Sequence, residues 1–324
     1  MSVVQCQLCP RGCRIGQGRA GDCRVRVNLD GSLRCVVYGF PVALHMDPVE
    51  KKPLFHFLPG TSILSLATVG CNLHCLNCQN WEISQADPQD STAAACPPDK
   101  VVSTARRSRC PSIAYTYTEP VVYYEYALDI ARLARRARIR NVLVTAAYVN
   151  PRPWEALMEV TDAVNIDLKF MSDDLYRTIC SGKLAPVQAA IVAAKAKGVW
   201  VEITNLVIPT LNDRPEDFSR LARWVKDEVG ADTPVHFSGF YPQYKMQHLP
   251  PTSGDVLETA RTVARDVGLR FVYVGNVTSP EGQNTYCPAC ARPVVQRSGF
   301  TVVQNRIRDG ACPDCGAALP GVWT

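Results

Sequence analysis

From Ser62 to about Gly275, short β-branched or aromatic runs alternate with segments of helical period, as repeated βα units around a parallel sheet require. Seven strands are predicted, at Ile63 to Val69, Ile113 to Thr118, Val142 to Ala146, Ala163 to Leu168, Val199 to Val207, Val235 to Phe240 and Leu269 to Val274. The clearest helix between them spans Val122 to Arg138. It sets Tyr126, Ile130, Leu133 and Ala137 on one face and turns Arg132, Arg135 and Arg136 away from it. Further helices are expected at Val187 to Lys197, Pro215 to Val229 and Ser253 to Asp266. Six or seven such units in about 215 residues suit an α/β fold of partial (β/α)6-type TIM-barrel form better than a short doubly wound sheet.

The flanks read differently. Residues 1–60 form an N-terminal module in which Arg24 to Leu44 makes a hairpin about Asp30-Gly31. Residues 61–280 carry the barrel, and residues 281–324 a knot of short strands and turns. Gln85 to Pro98, rich in Asp, Gln, Ser, Ala and Pro, reads as an irregular surface excursion. No apolar run approaches the ~20 residues of a membrane-crossing helix. Met1 to Cys6 lacks the basic and apolar regions of a signal peptide, so a cytoplasmic, reducing environment is expected.

In such an environment the fifteen cysteines point to metal rather than disulfides. Eleven are clustered, and Cys35, Cys96, Cys110 and Cys180, which are scattered, read as small buried hydrophobes. Cys287, Cys290, Cys312 and Cys315 form C-x2-C-x21-C-x2-C, the arithmetic of a closed tetrahedral zinc site of structural type, with iron in the same four-sulfur set as the alternative. Cys6, Cys9, Cys13 and Cys23 form C-x2-C-x3-C-x9-C, which serves either zinc or an iron–sulfur cluster. Gly16 to Gly21 matches G-x-G-x-x-G, but it is flanked by ligand-type cysteines instead of a strand and a helix, so its glycines read as turn-makers around a metal.

Cys71, Cys75 and Cys78 form C-x3-C-x2-C directly after the first barrel strand, at the end where such barrels build active sites. Three thiolates can hold three irons of a [4Fe-4S] cluster and leave the fourth open to an exogenous ligand. Zinc with His74 as fourth ligand is the alternative, and a strained one, because His74 lies inside the loop.

The triplet and the strands after it resemble the radical S-adenosylmethionine (SAM) superfamily, and within it the activating enzymes of pyruvate formate-lyase. More narrowly, Cys9-Pro10-Arg11-Gly12-Cys13, Glu50 to Phe57, Gly70 to Cys75, Cys78-Gln79-Asn80, Tyr115 to Pro120 and Tyr273 to Val277 resemble the radical SAM enzyme of the AmmeMemoRadiSam system. The resemblance implies that Cys71, Cys75 and Cys78 hold a [4Fe-4S] cluster whose open iron takes SAM, giving a 5'-deoxyadenosyl radical that abstracts hydrogen from substrate. It places Tyr117, Thr118 and Glu119 where the superfamily has its glycine-rich Glu-Pro element, with Glu119 accepting from the SAM ammonium; an ordinary carboxylate at a helix N-terminus is the alternative. Asp167 and Lys169 resemble the Asp-x-Lys element that reaches SAM, against which stands a structural ion pair. Asn150 is a further cofactor candidate, Thr145-Ala146-Ala147 replaces the family's Thr-Asn-Gly, and Asn77 stands where an aromatic commonly meets adenine. Glu202, Asn205, Tyr117 and Tyr241 are candidates for substrate contact.

A low-potential donor of flavodoxin or ferredoxin type is the expected electron source. The substrate is either a glycine of a partner protein or a small molecule linked to Memo-type and AMMECR-type proteins. The competing class is a zinc-dependent nucleic-acid or protein adaptor on a degenerate barrel. The formal +5 charge gives that class little support, since the basic residues are dispersed and filled thiolate sites would offset the charge. Neither membrane nor nucleic acid is an expected partner.

Overall fold

A computed structural model describes residues 3–279 and 281–324. The chain opens with two small antiparallel pairs, β1 (Val3–Gln5) with β2 (Arg14–Gly16) and β3 (Arg26–Leu29) with β4 (Ser32–Cys35). Asp30 (φ 51°) and Gly31 (φ 79°) turn the second pair, both in the left-handed region that a tight hairpin needs. This hairpin is shorter than expected. It ends at Cys35, and Ala43–Pro48 (β5) leaves it to become an edge of the main sheet.

That sheet holds eight strands. β6 (Ser62–Ala67), β7 (Ser112–Tyr115), β8 (Arg140–Thr145), β9 (Ala163–Asp167), β10 (Trp200–Val207), β11 (Val235–Gly239) and β12 (Val272–Gly275) run parallel in sequence order, and β5 pairs antiparallel to β6. All seven expected barrel strands are present. β5 and β12 are the edges, so the sheet is a partial barrel that does not close.

The helices follow their strands: α1 (Trp81–Ser84) and α2 (Pro98–Arg107), α3 (Tyr124–Arg136), α4 (Pro151–Met158), α5 (Asp173–Cys180) and α6 (Leu184–Ala196), α7 (Pro215–Glu228), and α8 (Gly254–Val267). Local chemistry fixes their ends. Pro98, Pro151 and Pro215 open α2, α4 and α7, where a missing N–H costs nothing. Ser253 Oγ caps α8 by accepting from Val256 N, and Gly268 (φ 111°) ends it. In α3 the buried stripe is Tyr126, Ala127, Ile130, Ala131 and Ala134, while Leu133 and Ala137 are only half-buried and Arg132, Arg135 and Arg136 are exposed. The stripe therefore sits one position around from the expected face.

The N-terminal ends of the strands are plugged by residues 49–58. Phe55 N and His56 N both donate to the Glu202 carboxylate (3.0 and 2.8 Å), which also accepts from Trp200 Nε1 and faces His236 Nε2 at 2.7 Å. The C-terminal module, β13 (Thr285–Tyr286), β14 (Pro293–Ser298) and β15 (Thr301–Asn305), lies over this plug. Leu58 N donates to Val322 O, Val322 N donates to His56 O, and Arg297 Nη2 donates to Phe55 O. One end of the barrel is thus sealed by protein, and the loops at the C-terminal ends of the strands form the other. Among the described residues no helix is long and apolar enough to cross a membrane.

Candidate active site

β6 ends at Ala67, and the Cys71–Cys78 loop begins after a tight bend at Gly70 (φ 95°). A Cβ there would lie 2.6 Å from Val25 Cγ1 and 2.8 Å from Cys23 O, so only glycine lets the loop pass the N-terminal module. Backbone bonds then pin the loop: His74 N donates to Cys180 O, Leu76 N to Ile179 O, and Lys245 N to Leu76 O. Asn72 Nδ2 donates to Tyr148 O at 2.8 Å. The loop is therefore held by the C-terminus of α5 and by the segment after β8.

The three sulfurs sit in different surroundings. Burial, reinforced by the charge of Glu119, pushes the Cys71 thiol well above its ordinary value. The Cys180 thiol donates to Cys75 and draws it down to about 7, helped by the Lys169 ammonium, while Cys180 itself is held well above the usual thiol range. Cys78 is raised by burial, opposed by Ser84 Oγ at 3.2 Å. Cys180 is buried, as its scattered position suggested, but it is a neighbour of Cys75 and not an inert filler; only the fold brings the two together. The ring nitrogens of His74 face Gln85 Oε1 and Asp22 Oδ2, each at 2.8 Å, so the ring is engaged away from the cysteines.

Glu119 follows β7 and is 2% exposed. Its Oε1 accepts from Thr145 Oγ1 (2.6 Å) and Val121 N (3.2 Å), and its Oε2 from Ala146 N (2.9 Å). It therefore caps the 3-10 turn Pro120–Tyr123 and ties the end of β8 to that of β7. Burial raises its pKa against these bonds. A carboxylate can accept about four hydrogen bonds, so Oε2 retains capacity for a further donor.

The rest of that turn is built around the triplet loop. Tyr117 (φ 63°) is in the left-handed region, its carbonyl accepts from Asn80 Nδ2 (2.9 Å), and its hydroxyl donates to Asp47. Asp47 is paired with Lys52 Nζ (2.8 Å), which lies 4.2 Å over the Tyr117 ring. Thr118 Oγ1 donates to Thr68 O (2.9 Å).

Lys169 Nζ and Asp167 Oδ2 pair at 2.9 Å at the end of β9; burial works against the ammonium, but the charge of Asp167, with that of Cys75, holds it protonated. Asn150 faces the N-terminal module: its Nδ2 donates to Gln7 O (2.8 Å) and its N–H to Leu8 O (3.0 Å). Asn205 Nδ2 donates to Leu168 O and Lys169 O, supporting the Asp-x-Lys turn. Glu202 lies at the sealed end of the barrel with its carboxylate bound by the plug, and so is placed as a scaffold group. Asn77 is 7% exposed and its Oδ1 is without a hydrogen-bond partner, a polar atom left free beside the last triplet cysteine.

The terminal cysteine sets differ in geometry. Cys287, Cys290, Cys312 and Cys315 bring all four sulfurs within 4.8 Å of one another, with Cys287–Cys315 at 3.6 Å and Cys290–Cys312 at 3.7 Å. With Zn–S near 2.3 Å, a tetrahedral site spaces its sulfurs about 3.8 Å apart, so this donor set fits a single metal ion. Cys6, Cys9, Cys13 and Cys23 instead surround a cavity against the triplet loop.

Residues 65–225 match the Radical SAM superfamily model. The chain belongs to that superfamily. The match takes in the end of β6, the triplet, Glu119 and the Asp167–Lys169 pair. The chain is also 44% identical over 318 residues to the uncharacterized Methanocaldococcus jannaschii protein MJ0808, covering 98% of this chain and 95% of that one, and so belongs to the same family. It is 26% identical over 165 residues to a pyruvate formate-lyase-activating enzyme of Clostridium pasteurianum, covering 49% of this chain and 67% of the enzyme. Its fold is shared with a radical SAM methyltransferase of Sphaerobacter thermophilus, at a TM-score of 0.53 and 15% identity, over 68% of each chain. Radical SAM membership implies a [4Fe-4S] cluster and SAM as cofactors, and three cysteine thiols on one pinned loop beside a buried carboxylate are a donor set that fits them.

Proposed function

We propose that this protein is an activating-enzyme-like radical SAM enzyme acting on a glycine of a partner protein, with Cys71, Cys75 and Cys78 as ligands of the [4Fe-4S] cluster. When bound and reduced, that cluster supplies one electron to the SAM sulfonium and so releases methionine and a 5'-deoxyadenosyl radical. The chain's own residues position and shield. Glu119 uses its remaining Oε2 capacity to accept from the SAM ammonium, and Thr145 and Ala146 hold that carboxylate in place. Tyr117 and Thr118 shape the strand-end turn, and the Lys169–Asp167 pair offers charge of both signs beside Cys75. Asn77 Oδ1 is suited to accept from the adenine amino group. Asn150, whose amide is bonded to Gln7, contributes by fixing the segment after β8.

The observation that carries this function is the placement of the triplet beside Glu119 at the unsealed end of a barrel whose opposite end is closed by the 49–58 plug. An open barrel suits a substrate presented on another protein, and similarity to activating enzymes agrees with it. The electron comes from a flavodoxin or ferredoxin type donor in a cytoplasmic setting. The C-terminal four-cysteine site takes a structural zinc, or iron in the same set, and the N-terminal four-cysteine site takes zinc or an iron–sulfur cluster.

The substrate class is tested by incubating the reduced, cluster-loaded enzyme and SAM with candidate partner proteins and recording electron paramagnetic resonance. A glycyl-radical doublet that needs Cys75 supports a protein substrate. Silence with protein partners, together with SAM-dependent conversion of a small molecule linked to Memo-type or AMMECR-type proteins, rejects it.

A further inference from the structure

The N-terminal cysteines and the C-terminal cysteines are both sets of four, yet the fold treats them differently. Among the described residues, the C-terminal four are the one group of potential ligands gathered within 4.8 Å of one another. The N-terminal four and the Cys71, Cys75 and Cys78 triplet are both spread more widely. A single zinc ion needs the tight arrangement, with sulfurs about 3.8 Å apart. A cubane cluster takes its cysteines at outer corners, several bond lengths apart, which is the arrangement the superfamily assigns to the triplet.

The space between the N-terminal sulfurs has the matching character. Cys6, Cys9, Cys13 and Cys23 line one cavity, and Ile15 and Val121 supply apolar wall. Cys6, Cys9 and Cys23 are buried. Backbone N–H groups point at the sulfurs: Asp22 N at Cys13 Sγ (3.5 Å), Arg11 N at Cys9, and Val25 N and Arg26 N at Cys23. Such bonds stabilise clustered sulfur charge. Arg11 and Arg26 also line the cavity, and each has a buried guanidinium nitrogen without a hydrogen-bond partner, Nη2 and Nε respectively. Arg11 is also paired with Asp22 and Arg26 with Glu125, so what the two contribute is spare N–H donors beside the sulfurs, and the wide spacing of those sulfurs is what favours a cluster over one metal ion. Asn72, the residue after Cys71, forms part of the same wall, and its carbonyl accepts from Arg11 Nε at 2.9 Å.

We propose that Cys6, Cys9, Cys13 and Cys23 hold an auxiliary, fully cysteine-ligated [4Fe-4S] cluster packed against the Cys71–Cys78 loop through Asn72 and Arg11. This deepens the radical SAM function by placing a second redox group at the back of the same site, and it rests on that function only for the content of the triplet. The test is metal and sulfide analysis of the full chain after anaerobic reconstitution with iron and sulfide, comparing wild type with Cys71→Ala/Cys75→Ala/Cys78→Ala.

The triple variant is expected to keep about half of the wild-type iron and sulfide. After reduction it should give a cubane-type paramagnetic signal that SAM does not alter. Adding Cys13→Ser, at the half-exposed member of the set, should then abolish or distort that signal while far-ultraviolet circular dichroism stays unchanged. A folded triple variant without iron overturns the proposal, whether or not a second zinc has taken its place. Equal iron in wild type and triple variant would instead leave the auxiliary cluster standing and reject a cluster on the triplet.

Discussion

The joint between the C-terminal module and the barrel turns on one buried ion pair, and its removal has a size and a pH dependence that the structure fixes. The Arg297 guanidinium donates to Phe55 O (2.8 Å), Thr285 Oγ1 (2.9 Å) and Gln283 O (3.1 Å), and its Nε lies 3.6 Å from Glu50 Oε1. Both side chains are completely buried. Arg297→Met keeps most of the volume but strands the Glu50 carboxylate, and deleting one partner of a buried pair costs about 3–5 kcal/mol. Arg297→Met/Glu50→Gln removes both charges and should recover a substantial part of that loss.

Glu50 is already raised by burial, opposed mainly by Arg297. Without Arg297 its folded-state pKa rises further above the unfolded value of about 4.3. The penalty is then largest above the folded-state value and fades as pH falls from that value to the unfolded one. Urea unfolding of the protein between neutral and mildly acid pH measures both effects. A loss below about 1 kcal/mol at neutral pH, or one of constant size across the range, refutes the assignment of Arg297 and Glu50 as a mutually dependent pair.

Three other perturbations report on separate parts of the molecule. Gly70→Ala forces a Cβ into Val25 Cγ1 and the Cys23 carbonyl at a left-handed backbone position, so it should cost about 2 kcal/mol or more and lower the iron bound by the reconstituted protein, read by unfolding and metal analysis. Removing metal from the C-terminal site, by chelation or by Cys287→Ser, should strip hydrogen-exchange protection from β14 while leaving β8 to β10 protected, because the module's own small core is built on Cys287, Val294, Cys312 and Leu319. Lys52 is lowered to about 8, burial outweighing the attraction of Asp47, so a lysine ammonium should titrate near that pH by NMR and vanish in Lys52→Met.

The barrel strands are readable in the sequence because apolar and β-branched residues dominate both of their faces, as in the Val142 to Thr145 part of β8 and in Trp200–Val207 apart from Glu202 and Asn205. β5 is not readable. Its sequence, Ala-Leu-His-Met-Asp-Pro, carries Asp47 to meet Lys52 and Tyr117, so the alternation that marks a strand is broken by a buried charge. Helices α4 and α5 are hidden for a different reason: at eight residues each they span too few turns for a periodic stripe to emerge. The gathering of the C-terminal cysteines is legible because two short C-x2-C knuckles bring their thiols together, and the place of the triplet is legible because it follows the first barrel strand directly. Neither the contact of Cys180 with Cys75, 105 positions earlier in the chain, nor the wrapping of Glu202 by Phe55 and His56 leaves any local trace, since the fold alone creates those neighbours. The cavity among Cys6, Cys9, Cys13 and Cys23 is likewise completed by Asn72, Val121 and Val122, which only the fold brings to it.

The central claim is that the Cys71, Cys75 and Cys78 loop supports reductive cleavage of SAM. Its most direct test is chromatography for 5'-deoxyadenosine after anaerobic reconstitution with iron and sulfide, reduction with dithionite and addition of SAM. Wild-type protein should form 5'-deoxyadenosine and methionine in equal amounts, and Cys75→Ala should form neither. A wild-type protein with a fully reduced cluster that leaves SAM intact, or a Cys75→Ala protein that cleaves it equally well, would contradict the account.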